Sequence, residues 1–196
     1  MLYKRTLMIG IIDCGGANLN SIKYSLERIG KKSFVSNIKS ELSNADSLIL
    51  PGVGSAGIIM KSLRKNKLID FISNTNKPTL GICIGMQILF EYSDEDKTEC
   101  LGIFKGKIKK FKNNKMPVPQ MGWNKVKCIE EYKYLNNYYY FANSYYSDST
   151  KNIIGVSNYG DDFSSIIIKD NFVGCQFHPE KSSSAGERFL EEFLNL

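Results

Sequence analysis

A chain of 196 residues suits a single hydrophobic core, because one core commonly serves ~100–200 residues, so one domain spanning 1–196 is expected. With 42% hydrophobic, 12% aromatic and 23% charged residues it has the apolar material for that core, which excludes whole-chain disorder. Its net charge of +6, from 26 basic and 20 acidic residues, is scattered along the chain, so neither nucleic acid nor a membrane surface is the expected partner.

The first half alternates short apolar runs with helical patterns, the signature of βαβ units around a mostly parallel sheet. Lys4-Arg5 and the run Leu7 to Ile12 superficially resemble a signal peptide, but the run is short and ends in Asp13. It reads as a buried strand of a cytoplasmic protein. Leu19, Ile22, Leu26 and Ile29 then recur at helical spacing until Gly30. Ser47 to Leu50 forms the next strand and enters the turn Pro51-Gly52-Val53-Gly54, followed by a partly helical segment ending at Lys77-Pro78. Thr79 to Ile82 is a short strand running into Cys83, after which Ile84, Gln87, Ile88 and Glu91 read as one helix.

From about residue 101 the pattern changes to β segments: Gly106 to Phe111, Trp123 to Cys128, Tyr138 to Tyr146, Ile153 to Ser157, Ser164 to Lys169 and Phe172 to Phe177. A last helix is expected near Ser184, with Ser184 and Glu187 at capping-box spacing and Phe189, Leu190, Phe193 and Leu194 buried. The expected fold is α/β, an open, mostly parallel sheet flanked by helices with an antiparallel extension in the second half.

The five cysteines are too widely spaced for a Cys-x-x-Cys unit, so no zinc knuckle or disulfide scaffold is expected. The sequence has one histidine, His178, and any imidazole general base must be this residue. It follows an apolar strand, where the carboxyl ends of open α/β sheets line a crevice. Gly81-Ile82-Cys83-Ile84-Gly85 has the Gly-x-nucleophile-x-Gly spacing of a nucleophile elbow, with Cys in place of Ser. A sulfur at such a strand-to-helix turn faces unpaired N–H groups that favour the attacking thiolate. Glu180, two residues past His178 on an extended segment, could turn back to orient the imidazole, completing a Cys-His-Glu triad. The turn Gly52-Val53-Gly54 could offer backbone N–H groups to an oxyanion. Cys14, Cys100, Cys128 and Cys175 lack an elbow and read as packing residues.

Six blocks in order resemble one family. They are Ile12-Asp13 with Asn18, Leu50 to Gly54, Gly81 to Gln87, Pro119 with Met121 to Asn124, Tyr140-Phe141 with Ser144-Tyr145, and Gln176 to Ser182. The chain resembles the class I (triad-type) glutamine amidotransferases, and within them the glutaminase subunits of imidazole glycerol phosphate synthases. The resemblance implies that Cys83 attacks the side-chain amide of L-glutamine, that His178 protonates departing ammonia, and that Glu180 orients His178. It implies glutamine contacts from Gly54, Gln87, Glu95, Ser144 and Tyr145, and an oxyanion contact from Val53 beside Gly52. It further implies a heterodimer with a (β/α)8-barrel cyclase of histidine biosynthesis that receives the ammonia, with no cofactor or metal. Asn18, Trp123, Asn124 and Lys181 match the family's docking face and gate.

Two departures stand out. Gln120 and Asn143 occupy positions where the family usually shows histidines, and Asp13 to Asn18 departs from its usual loop. Neither change touches the triad. They leave open a paralogue that supplies ammonia for amidination of a surface sugar, or a non-catalytic regulatory subunit. A Cys-His peptidase is disfavoured by the small polar pocket implied by Gln87, Glu95 and Ser144-Tyr145.

Overall fold

A computed structural model describes residues 7–15, 19–52, 54–112, 116–149 and 151–195. Its first half runs β1 (Met8–Ile12), α1 (Leu19–Arg28), β2 (Lys32–Ser36), α2 (Lys39–Leu42), β3 (Ser47–Leu50), α3 (Ala56–Lys65), α4 (Ile69–Ser73), β4 (Thr79–Ile82) and α5 (Ile84–Gln87). The second half runs β5 (Tyr92–Ser93), β6 (Thr98–Glu99), β7 (Lys107–Lys110), β8 (Gln120–Cys128), β9 (Asn137–Asn143), β10 (Tyr145–Ser147), β11 (Ile153–Tyr159), β12 (Asp161–Lys169), β13 (Phe172–Cys175) and α6 (Ser183–Phe193).

Nine strands form the main sheet in the order β2-β1-β3-β4-β13-β12-β11-β8-β9, and β10-β7-β5-β6 form a smaller one. Pairing is parallel from β2 through β13 and antiparallel from β13 to β9, so the fold is α/β with a mixed sheet. The apolar runs of the early strands are continuous because both sheet faces are covered. Ile9, Ile11 and Ile49 pack on one side with α1 and α6 residues Leu26, Phe189 and Leu190. Ile12, Leu48 and Leu50 pack on the other with Ile59, Met60 and Leu63 of α3. Each such side chain, fully buried, contributes roughly 1.5–3 kcal/mol.

Tertiary contacts override the sequence pattern at several places. The helix after Cys83 stops at Gln87 instead of continuing to Glu91, because Ile88, Leu89 and Phe90 give their carbonyls to the N–H groups of Leu101, Phe104 and Gly102. The expected strand Tyr138 to Tyr146 is broken at Ser144, with β9 in the large sheet and β10 in the small one. Strand β2 sits half-exposed at the sheet edge and carried no clear apolar pattern. The capping box of the last helix is absent. The helix starts at Ser183 with no side-chain cap, and Glu187 instead pairs with Arg28 at 2.6 Å. Among the described residues no helix is long and apolar enough to cross a membrane.

Candidate active site

Strands β4 and β13 are neighbours and parallel, with Ile82 abreast of Cys175. Their carboxyl ends therefore release Cys83 and the segment Gln176 to Glu180 on the same edge of the sheet. The Cys83 N–H donates to the Cys175 carbonyl at 2.8 Å, which ties the two ends together.

Cys83 has φ 54° and ψ −112°, a conformation that L residues rarely adopt and that costs about 1–3 kcal/mol. The surrounding glycines explain how it is held. A β-carbon on Gly85 would lie 1.9 Å from the Leu50 carbonyl oxygen, and one on Gly52 would lie 2.3 Å from the Ile84 nitrogen. The turn after β3 is thus pressed directly onto the elbow, backbone to backbone. Gly54, at φ +93°, allows the turn to curve away again. Val53 lies outside the described residues, as does Asn18. Gly52 instead stands against the start of α5, where the Ile84 N–H follows the nucleophile, the position that contributes to an oxyanion hole in elbow hydrolases. The elbow spacing itself marks the Ile84 N–H, as that of the residue after the nucleophile.

His178 is buried and pinned through its backbone. Its N–H donates to the Tyr140 carbonyl at 2.8 Å, and its carbonyl accepts from the Ser182 hydroxyl at 2.7 Å. The same Ser182 oxygen accepts from the Tyr140 N–H at 2.9 Å, so its hydroxyl is committed to the histidine segment. Glu180 lies in a 3-10 turn, Pro179–Lys181, and not on an extended segment. The turn brings its Oε1 back to 2.8 Å from His178 Nδ1, leaving Nε2 for the sulfur. Burial opposes charge on the ring, but Cys83 and then Glu180 outweigh it and raise the His178 pKa to about 10. The other cysteines behave as packing residues: burial pushes the Cys14 thiol up to about 12, and Cys100 and Cys128 up to about 11.

A cavity of about 240 Å³ opens on the sulfur, lined by Gly54, Cys83, Ile84, Gln87, Glu95, Pro119, Met121, Ala142, Asn143, Ser144 and Tyr145. All five expected glutamine contacts are among these residues. The volume is below the ~300–1,000 Å³ of sites for drug-sized ligands, which argues for a small substrate over a peptide. Glu95 is half-buried, and its Oε2 accepts from the Ala56 N–H at 2.9 Å. Burial raises its pKa, partly offset by that hydrogen bond. Asn143 and its cross-strand partner Gln120 are buried, and the side-chain oxygen of each lacks a hydrogen-bond partner. The Nδ2 of Asn143 donates to the Tyr145 carbonyl at 3.0 Å.

Met121, which lines the cavity, shares one face of β8 and β9 with Trp123 and Tyr138; the three are 63%, 54% and 56% exposed. Trp123 meets Tyr140 edge to face at 6.2 Å, and Lys181 Nζ lies 5.9 Å from the centre of the Tyr140 ring. Asn124 departs from this group. Its amide donates to the Asn158 carbonyl at 2.9 Å and its oxygen accepts from the Lys125 N–H at 2.7 Å, so it is tied into the sheet.

The model of the family "Glutamine amidotransferase class-I" matches residues 10–196. The chain is 45% identical over 191 residues to "Imidazole glycerol phosphate synthase subunit HisH 2" of Campylobacter jejuni (strain RM1221), covering 96% of this chain and 98% of that protein. It is 39% identical over 191 residues to the HisH subunit of Haemophilus influenzae (strain ATCC 51907 / DSM 11121 / KW20 / Rd), covering 95% and 96%. Among solved structures, a glutamine amidotransferase superposes with a TM-score of 0.77 at 18% identity, over 95% of this chain and 97% of that one. PurLQS from Thermotoga maritima gives 0.76 at 17%, over 97% and 98%.

Proposed function

The chain belongs to the class I glutamine amidotransferase family, and from that premise we propose that it is the glutaminase subunit of an imidazole glycerol phosphate synthase, releasing ammonia from L-glutamine for a (β/α)8-barrel partner. The observation that carries this reading is the convergence of Cys83, His178 and Glu180 at the ends of two adjacent parallel strands, over a cavity of small-substrate size.

The side-chain amide of glutamine enters with its carbonyl carbon against the Cys83 sulfur. Attack forms the C–S bond and moves the carbonyl electron pair onto oxygen, where the Ile84 N–H and the turn through Gly52, Val53 and Gly54 receive it. His178 enters the reaction as a cation stabilised by the sulfur and by Glu180, so it is the acid that protonates the departing nitrogen. The tetrahedral intermediate collapses to a thioester and ammonia leaves. Once the sulfur is acylated its charge is gone, and His178 loses the larger of its two stabilising partners. The ring then accepts a proton from water, whose hydroxyl attacks the thioester and releases glutamate and the thiolate. Glu95, Gln87, Ser144 and Tyr145 hold the amino-acid end of the substrate.

Met121 at the cavity, with Trp123 and Tyr138 beyond it on the same face of β8 and β9 and with Lys181, forms the face on which the barrel docks. A partner there would close the route between the cavity and solvent and receive ammonia directly. The test is to purify the chain with its bound partners from the source cell and assay glutamate release. Co-purification of a barrel cyclase and partner-dependent glutamate release are expected; a folded complex with no glutamate release would reject the reading.

A second reading, supply of ammonia to a sugar-amidinating enzyme, is favoured by one feature. Buried Asn143, which lines the cavity, and its cross-strand partner Gln120 stand where the family pattern has histidines. Recovery of a sugar-modifying amidotransferase with a barrel homologue would support it.

A further inference from the structure

Gln176 is wholly buried, is absent from the lining of the substrate cavity, and has no part in the triad. Its amide nevertheless touches the nucleophile: Nε2 lies 3.7 Å from Cys83 Sγ, within the range of an N–H···S hydrogen bond. On its other side, its Oε1 accepts from Gln87 Nε2 at 2.9 Å.

The direction of this chain is fixed at its far end. The Tyr145 carbonyl can only accept, and Gln87 Nε2 reaches it at 2.9 Å. Gln87 must therefore present its NH2 group there, and the same group's second proton meets Gln176. Gln176 must then turn its oxygen toward Gln87 and its NH2 toward the sulfur. A backbone carbonyl in β10 thus sets the polarity of two buried amides and delivers a donor to Cys83. The other groups at the sulfur are His178, with Glu180 behind it, and the Ala142 carbonyl, to which the Cys83 thiol donates at 3.9 Å when protonated. The Cys175 thiol donates instead to the Phe177 carbonyl at 3.5 Å and is kept neutral by burial, then by Glu180 and Cys83.

We propose that Gln176 is a positioning residue for the nucleophile, holding the Cys83 sulfur by an N–H···S bond that strengthens when the sulfur is a thiolate. A thiolate accepts this bond more strongly than a thioester sulfur, so Gln176 favours the sulfur both as attacking group and as leaving group in thioester hydrolysis. Gln87 has a double duty. Its two amide protons are spent on Tyr145 and Gln176, which leaves only its oxygen for substrate. The proposal rests on Cys83 being the nucleophile.

The test uses the chain in complex with its partner. Q176M keeps the length and volume of the side chain but removes both the donor to Cys83 and the acceptor for Gln87. Alkylation of Cys83 by a glutamine-like electrophile at neutral pH should slow about ten-fold, the effect expected for losing one charge-assisted hydrogen bond, and its pH profile should move toward alkaline pH. The kcat for glutamate release should fall by a similar factor, and KM for glutamine, which rises as Gln87 loses its anchor on Gln176, should change by less than kcat. An unchanged alkylation profile and kcat in folded Q176M, or a loss confined to KM, would overturn the proposal. Should Q176M fail to fold, the side-chain amide NMR signals of Gln176 in the wild-type protein give a second reading. They should shift on alkylation of Cys83; no shift would overturn the proposal. Wild-type protein that neither alkylates at Cys83 nor releases glutamate would instead reject the functional assignment itself.

Discussion

Strands β4 and β13 lie side by side, yet their two ends are built on opposite principles. At the amino end Thr79 stands abreast of Phe172, and the polar groups there are matched. Asn171 donates to the Thr75 and Lys77 carbonyls at 2.9 and 2.7 Å, the Thr79 hydroxyl donates to Lys77 at 2.9 Å, and Lys77 Nζ reaches the Ala45 carbonyl at 2.5 Å. At the carboxyl end Cys83 is strained, Glu180 Oε2 is buried without a partner, and so are the amide oxygens of Gln120 and Asn143. The amino end even carries the larger depression, about 730 Å³ and lined by Lys39, Asp46 and Asp70 among others, against about 240 Å³ at the sulfur. The contrast teaches that cleft size does not mark the site. What marks it is a nucleophile in a rare backbone conformation with unpartnered buried polar atoms nearby, because a reactive centre keeps groups ready for charge that appears only during reaction.

The sharpest way to break the comparison is to remove one group from each end. Cys83→Ala should lower glutamate release roughly 10⁴-fold or more in the partnered enzyme. Asn171→Ala should lower stability by about 1–2 kcal/mol and leave kcat and KM unchanged. Equal loss of activity from both would erase the distinction, and steady-state assays beside chemical denaturation decide it.

Gly85→Ala probes the backbone contact that holds the elbow. With a β-carbon only 1.9 Å from the Leu50 oxygen, the turn must separate from the helix start, and a loss of about 3 kcal/mol in unfolding free energy is expected.

Stability should also depend on pH through the site. The folded pKa of His178, about 10, lies above the unfolded value of 6.5. The stabilisation it contributes is therefore fully present below about pH 6.5 and lost as pH rises through about 10. Denaturation midpoints between those limits should fall in the wild type and fall less in His178→Asn; parallel curves would show that the histidine is not held as a cation.

The smallest effect concerns strain itself. Cys83→Gly should be more stable than Cys83→Ala by about 1 kcal/mol, since glycine adopts positive φ without penalty. Equal stabilities would mean that the elbow stores no strain.

Much of this site was legible in the chain. Gly81, Cys83 and Gly85 marked the elbow, the single histidine marked its partner, and Glu180 followed two residues later. The early strands were legible because both their faces are buried, which forces an unbroken apolar run. The second half was read less well, because β9 and β10 form one β-rich stretch whose division between two sheets leaves no local trace. Gln176 carried no signal of its own, and Ile84 was marked only as the residue after the elbow nucleophile. An amide or a main-chain N–H becomes functional only through what stands opposite it.

Residue types and spacing by themselves determined the chemistry available here: one thiol on a glycine-flanked turn, one imidazole and one nearby carboxylate. Only the tertiary structure decided that these groups meet, because the parallel register of β4 and β13 spans 93 residues between Cys83 and Gln176. It also decided which way the buried amides point. Hydrogen-bond polarity inside a core is set by partners far away in the chain, and no local pattern encodes it.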